Sequence, residues 1–320
     1  MTDALRALLP LYGLPPDAPL RLLNRSENET WLAGEGDRLI VLRHHRAGYH
    51  SRAEIAAELA WLTALDGQTG LRCVRPLADA AGGMIQIAGG RHVVAFAHIA
   101  GREPKADDDL APWFETLGAA TARLHLHARH WPRPPGFARK RWDTDTILGP
   151  RPHWGDWRAA PGMDHAAHPV LIRLAAELTR LLAAYGQGAD RFGLIHADLR
   201  LANLLIDVEG LWVIDFDDCG FGWAMYDFAS AVSFIETDPR LPELARHWCA
   251  GYARVAALTA EDRAVLPVLV MLRRVLLTAW LGTRADSETA REIGAAHYTA
   301  QTVQLAERFL SAGPARFLEG

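Results

Sequence analysis

The stretch His196-Ala-Asp198-Leu-Arg200-Leu-Ala-Asn203, followed shortly by Leu211-Trp-Val-Ile-Asp215-Phe, decides how this chain folds. Eleven residues lie between Asn203 and Asp215. They read as a hairpin, with an apolar strand over 204–206, a polar turn over 207–210 and a return strand over 211–214. A hairpin brings its ends together, so Asn203 and Asp215 are expected side by side, able to share one Mg²⁺–phosphate cluster. Mg²⁺ is a hard cation that takes oxygen ligands, often one or two carboxylates with substrate phosphates and water. Asp198 lies on the loop between His196 and Asn203. It is expected to orient an acceptor hydroxyl and take its proton as phosphoryl transfer proceeds. His196 reads as a structural residue that holds the loop backbone.

At 320 residues the chain is long enough for two lobes with cores of their own. Half of the residues are hydrophobic and 22% are charged, which places it among globular proteins. A net charge of −4 gives no sign of a nucleic-acid partner. Basic character comes from arginine, because Lys105 and Lys140 are the only lysines. Three separated cysteines, Cys73, Cys219 and Cys249, form no CxxC pair and point to reduced thiols in a cytoplasmic protein. The first apolar run is too short for a signal peptide. The apolar segment 265–281 is interrupted by Pro267, Arg273 and Arg274, so it reads as a buried helix and not a membrane span.

Residues 1–98 read as a small strand-rich lobe. Strands are expected over 20–23, 31–33, 38–43 and 92–98, with one helix over 51–65. Ser51 and Glu54 form a capping box at its start, and Ile55, Leu59 and Leu62 make its apolar stripe. Residues 99–320 read as a large, mainly helical lobe, with helices over 112–130 and 170–185 and through most of 228–318. Residues 131–169, rich in Pro, Gly and Trp, read as an ordered loop. The expected fold class is therefore α+β, a bilobal arrangement with a hinge near 96–101. There the backbone of Phe96, Ala97, His98 and Ile99 would offer N–H and C=O groups to adenine.

On the residues 193–205 and 213–222, the chain resembles the aminoglycoside phosphotransferase and choline kinase superfamily of kinase-like small-molecule phosphotransferases. The likeness runs from about 22 to 234. Arg141-Trp142-Asp143 and Trp154-Gly-Asp156-Trp157 are similar to the branch holding homoserine kinase type II and bacterial stress-response kinases. The resemblance implies a protein-kinase-like fold, ATP (GTP in some members), Mg²⁺ and a hydroxyl acceptor. It implies Asp198 as the base and Asn203 and Asp215 as metal ligands. Protein kinases share the loop, but they need an activation segment and an Ala-Pro-Glu anchor after the metal aspartate. Only eleven residues separate Asp215 from Asp227 here, and no such anchor follows. The resemblance implies a structural Asp227 that ties its helix to the catalytic-loop backbone; the other reading is a simple helix N-cap, equally non-catalytic.

The chain departs from the pattern in two places. No G-x-G-x-x-G occurs in the first lobe; Ser26, Asn28 and Thr30 occupy that turn, either donating to phosphate or merely solvated. The strand that should carry a phosphate-binding lysine carries Arg43, which can clamp phosphate bidentately. Glu58 is its natural partner, and the alternative is that Arg43 is a surface charge at a strand end. Arg200 is placed to neutralise the transferring phosphoryl group. Asp217 and Asp218 extend the acidic run, touching metal, acceptor or only solvent.

Trp142, Asp156, Trp157 and Tyr226, with Glu236, mix aromatic faces and carboxylates in a way that suits an ammonium group. They suggest an amino alcohol, hydroxy amino acid or aminoglycoside-like acceptor. The competing reading is that the tryptophans pack the 131–169 loop onto its lobe. A stress-response-type protein Ser/Thr kinase and a non-catalytic nucleotide-binding regulator are the other functions the residues allow.

Overall fold

The computed structural model describes residues 2–318 apart from Ser26, Glu27 and Thr69. It divides into two compact units. Unit 1 holds Met1–Arg102, Trp131–Arg139 and Trp212–Asp217; unit 2 holds Glu103–His130, Lys140–Leu211 and Asp218–Gly320.

Unit 1 starts with a short helix, α1 (Thr2–Arg6), and a 3₁₀ turn. The strands β1 (Leu20–Arg25), β2 (Glu29–Glu35) and β3 (Arg38–His44) follow as an antiparallel meander. After α2 (Arg52–Leu65) come β4 (Pro76–Leu77), β5 (Gln86–Ala88) and β6 (Arg91–Ala97). The sheet runs β1-β2-β3-β6-β4, with β5 also pairing β6. Side chains alternate across a strand. One face, with Trp31, Ala33, Ile40, Leu42, Val93 and Ala95, therefore packs under Leu5, Leu8, Leu9 and Leu14 of the N-terminal segment. The opposite face carries Val41, Arg43 and Phe96. The capping box of α2 is present: Ser51 Oγ accepts from the Glu54 N–H at 3.2 Å, and Glu54 Oε2 accepts from the Ser51 N–H at 2.8 Å.

Unit 2 begins with α3 (Ala111–His130). The 140–169 stretch read as loop contains β7 (Arg141–Trp142), α4 (Thr144–Ile147) and a 3₁₀ turn, elements too short for periodicity to reveal. Next, α5 (Ala167–Tyr185) starts three residues earlier than expected, since Pro169 sits in its first turn, where a missing N–H costs no helical bond. Then come β8 (Phe192–Ile195), β9 (Leu204–Asp207), β10 (Gly210–Val213) and β11 (Gly220–Trp223). β9 and β10 pair as the expected hairpin, and β8, β11 and β7 form a three-stranded sheet. The remainder is helical: α6 (Tyr226–Ala231), α7 (Leu241–Ala253), α8 (Ala260–Thr283), α9 (Glu288–Ile293), α10 (Ala295–Ala312) and α11 (Pro314–Phe317).

α8 is the spine of unit 2, with α5, α6 and α10 packed around it. It is long and apolar enough to cross a bilayer, but 94% of that apolar window is buried inside the protein. α3 and α7 approach closely through Gly118 and Gly251, where a Cβ would run into the Trp248 and Glu115 carbonyls.

Candidate active site

In unit 1, Arg43 lies one residue beyond Leu42, so its side chain leaves the sheet on the face away from the N-terminal cluster. Glu58 rises to meet it from α2, one turn after Ile55 on the buried side of that helix. Arg43 Nη2 pairs with Glu58, and Nη1 donates to Asp215 Oδ1 at 2.9 Å. The Phe96 ring lies against the guanidinium, 4.9 Å from centroid to carbon. Arg43 and Glu58 are buried, while the Asp215 side chain is 40% exposed. Burial works against the charge, but Glu58, Asp217 and Asp215 outweigh it and raise the Arg43 pKa above its ordinary value. Arg43 is not a surface charge.

Asn28 ends the turn between β1 and β2. Its Nδ2 donates to Asp217 Oδ2 at 2.6 Å, and its Oδ1 accepts from the Arg46 N–H at 3.0 Å. Arg139 donates to the Asp217 carbonyl and, at 2.8 Å, to that of Glu54. Asn28 is thus fastened to the 215–217 run. Ser26 lies outside the described residues. Phe96 is flanked in the sheet by Val41 and Pro76, and Ala97 N–H donates to the Arg75 carbonyl. His98 is the first residue beyond the ladder and is half-buried.

In unit 2, β8 delivers the catalytic loop. Asp227, at the start of α6, accepts from the backbone N–H groups of His196 and Ala197 at 3.1 and 2.7 Å. His125 Nε2 lies 2.9 Å from the same carboxylate, and Ser230 Oγ accepts from the Leu199 N–H at 2.8 Å. These bonds hold Ala197 in the left-handed region at φ 68°, which an alanine rarely adopts unaided. His196 Nδ1 accepts from the Asp198 N–H at 3.2 Å, the structural part expected of it.

Both oxygens of Asp198 are engaged. Oδ1 accepts from Arg273 of α8; Oδ2 accepts from Asn203 Nδ2 at 2.6 Å and from Arg200 Nε at 3.3 Å. Burial favours the protonated acid, but Arg273 first, then Arg200 and His196, outweigh it and hold the carboxyl below its ordinary range. Arg273 is itself buried: Nε donates to Ser233 Oγ at 3.1 Å, Nη1 to the Ala197 carbonyl and Tyr226 hydroxyl at 3.3 Å each. Its guanidinium lies 5.0 Å from the Trp154 ring centre.

The aromatic residues singled out for the acceptor have internal partners. Trp142 Nε1 donates to the Asp218 carbonyl at 2.8 Å, and Trp157 Nε1 to that of Leu148 at 3.3 Å; both are 1% exposed. Asp156 caps the 3₁₀ turn through the Arg158 N–H, and its carboxylate also meets the Arg158 guanidinium. Tyr226 is buried on Arg273, and Glu236 pairs with Arg274 at 2.6 Å and accepts from Tyr298 at 2.8 Å. Arg273 was the functional residue missing from the sequence reading. Two arginines inside an otherwise apolar helix do signal buried carboxylate partners, since an unpaired buried charge is prohibitively costly.

Each unit offers a side-chain oxygen of the kind a divalent cation takes. In unit 2, Asn203 spends its Nδ2 on Asp198, which leaves its carbonyl oxygen as the donor atom of the pair. In unit 1, Asp215 is partly exposed and meets Arg43 through Oδ1. Both are the hard oxygens that Mg²⁺ prefers.

This fold, with a buried aspartate on an H-x-D-x-x-x-x-N loop, defines a kinase-like phosphotransferase. The model of the phosphotransferase enzyme family matches residues 20–258, and the chain belongs to that family. It is a kinase with an alcohol group as acceptor. A microcompartment-associated aminopropanol kinase of known structure is 43% identical, with a TM-score of 0.91 over 99% of this chain and 100% of that one. The amicoumacin kinase hAmiN, solved with AMP-PNP, Ca²⁺ and Ami, shares the fold at a TM-score of 0.75, covering 94% of this chain and 91% of that one with 23% identity. A homoserine kinase of Gluconacetobacter diazotrophicus is 28% identical over 306 residues, 90% of each chain. The protein-kinase-like α+β fold expected from the sequence is the one observed.

Proposed function

We propose that this protein transfers the γ-phosphoryl group of ATP, with Mg²⁺, to the hydroxyl of a small amino alcohol in the cytoplasm. The observation that carries the reading is the Asp198 carboxylate, kept ionised by Arg273 and Arg200 on a loop of the catalytic spacing. The 43% identity with an aminopropanol kinase over nearly the full length supports the acceptor class.

In this reading Asp198 orients the acceptor hydroxyl and takes its proton as the oxygen–phosphorus bond forms and the bond to ADP breaks. Asn203 and Asp215 would hold the metal, which supplies charge neutralisation at the phosphates. Arg43 clamps phosphate from its seat on Glu58, exchanging the Oδ1 of the partly exposed Asp215 for a phosphate oxygen. Arg200 follows the charge from Asp198 to the transferring group. Past the end of β6, the backbone of His98 and Ile99 would offer N–H and C=O groups to adenine.

The test is ADP release by the purified protein with ATP and Mg²⁺ against 1-amino-2-propanol, ethanolamine, homoserine, an aminoglycoside and casein. Turnover of the amino alcohols is expected. Consumption of homoserine, aminoglycoside or casein with the amino alcohols untouched would overturn the acceptor class.

A further inference from the structure

Phe234 follows α6 with φ 71°, in the left-handed region that a bulky side chain avoids. Such a conformation persists only when its surroundings impose it, and here they do so from both sides. Ser233, just before it, accepts from Arg273 Nε at 3.1 Å. Glu236, two residues after it, pairs with Arg274 at 2.6 Å and accepts from the Tyr298 hydroxyl at 2.8 Å. Two successive arginines of α8 thus pin the turn on either side of one strained residue.

The ring of Phe234 belongs to a continuous aromatic row. Trp142 and Trp154 are 5.2 Å apart between centroids, Trp154 and Trp280 6.3 Å, Trp280 and Phe234 6.3 Å, and Phe234 and Tyr298 5.7 Å. Arg273 lies over Trp154, and Arg274 lies 3.9 Å from the Tyr298 centroid. Four of the five rings are buried; Phe234 alone is partly open. It is therefore the one ring of the row able to touch a ligand. Its backbone neighbour, Ser233, shares a guanidinium with the base Asp198.

We infer that Phe234 is a specificity-determining residue of the acceptor site, its ring packing against the carbon substituent beside the hydroxyl to be phosphorylated. This rests on the amino-alcohol reading. A strained backbone serves that purpose because it aims a rigid apolar face where an ordinary turn would not, and pinning by Ser233 and Glu236 keeps the face still. The ligand class is a short amino alcohol carrying a methyl group on the carbinol carbon. An acceptor without that methyl leaves the ring partly uncovered.

The experiment compares kcat/KM for 1-amino-2-propanol and ethanolamine, which differ by that methyl, in wild type, Phe234→Ala and Phe234→Leu. A methyl in an apolar pocket is worth about 10–200-fold in discrimination. The wild type is expected to prefer 1-amino-2-propanol, and Phe234→Ala to lower the ratio by about ten-fold, chiefly through the acceptor KM. Phe234→Leu, which keeps an apolar face, should recover much of it. Phe234→Gly serves where alanine impairs folding, because glycine takes the positive φ without strain. A ratio that stays within two-fold of wild type in folded variants overturns the inference and leaves the amino-alcohol reading intact. A wild type that turns over neither compound overturns both.

Discussion

Arg43 in unit 1 and Arg273 in unit 2 are both buried guanidiniums fastened to carboxylates, and they are set in opposite ways. Arg43 holds one buried partner, Glu58, and one partly exposed partner, Asp215. Arg273 spreads its donors over Asp198, Ser233, the Ala197 carbonyl and Tyr226, all of them buried. An arginine with one exposed contact can exchange it for an incoming anion without stranding a buried charge. An arginine enclosed by its partners has none to give up, and its work is to fix the charge and orientation of the carboxylate. The first arrangement suits a clamp on a ligand, the second a support for a base.

The largest expected effect comes from the carboxylate that Arg273 supports. Asp198→Asn should lower kcat by about 10³-fold, the usual reach of a positioned base, with the ATP KM nearly unchanged in steady-state assays. An equal loss through the ATP KM would show that Asp198 belongs to nucleotide binding instead.

Breaking the support comes next. Arg273→Met leaves Asp198 short of its main counter-charge, and losing one partner of a buried pair costs about 3–5 kcal/mol of stability, readable as a lower denaturation midpoint. The Asp198 pKa is depressed in the folded protein, so its share of stability is present above the ordinary carboxylate value and vanishes as pH falls through the folded value. The acid limb of kcat/KM should lie below the usual carboxylate range in wild type. It should move upward in Arg273→Met and less so in Arg273→Lys. An acid limb that does not move would separate Arg273 from the base.

On the exchangeable side, Arg43→Lys keeps the charge and loses the fork. It should raise the ATP KM about ten-fold, the size of one charge-assisted hydrogen bond, with the acceptor KM held within two-fold. If Arg43→Lys changes the acid limb of the pH profile and leaves the ATP KM alone, the contrast between the two arginines collapses. Smallest of all, Ser51→Ala removes the cap of the helix that carries Glu58. A loss of about 1 kcal/mol in urea denaturation is expected, with kcat unchanged.

Much of this was legible beforehand because it is local. The capping box of α2, the Arg43–Glu58 pair and the β9–β10 hairpin follow from spacing within short windows; the seat of Asp227 on the His196 and Ala197 amides, 31 and 30 residues away, was legible only through the resemblance. Residues 141–142 and 220–223 were not seen as strands, since two to four residues hold no period and their pairing partners are distant in sequence. The tryptophans of the 142–157 region could be read as cage or as packing. Only the partners of their indole nitrogens show where those nitrogens are spent.

The sequence by itself determined the reaction class, for the order of Asp198, Asn203 and Asp215 along one loop and hairpin is a covalent fact. Tertiary structure alone decided what stands behind Asp198. Arg273 lies 75 residues from Asp198, and only packing of α8 against the catalytic loop brings its guanidinium to that carboxylate. The same holds for the turn of Phe234, whose strain is imposed by two arginines on another helix. Local chemistry is written in neighbouring residues, whereas the charge state of a buried group depends on whatever the fold packs around it.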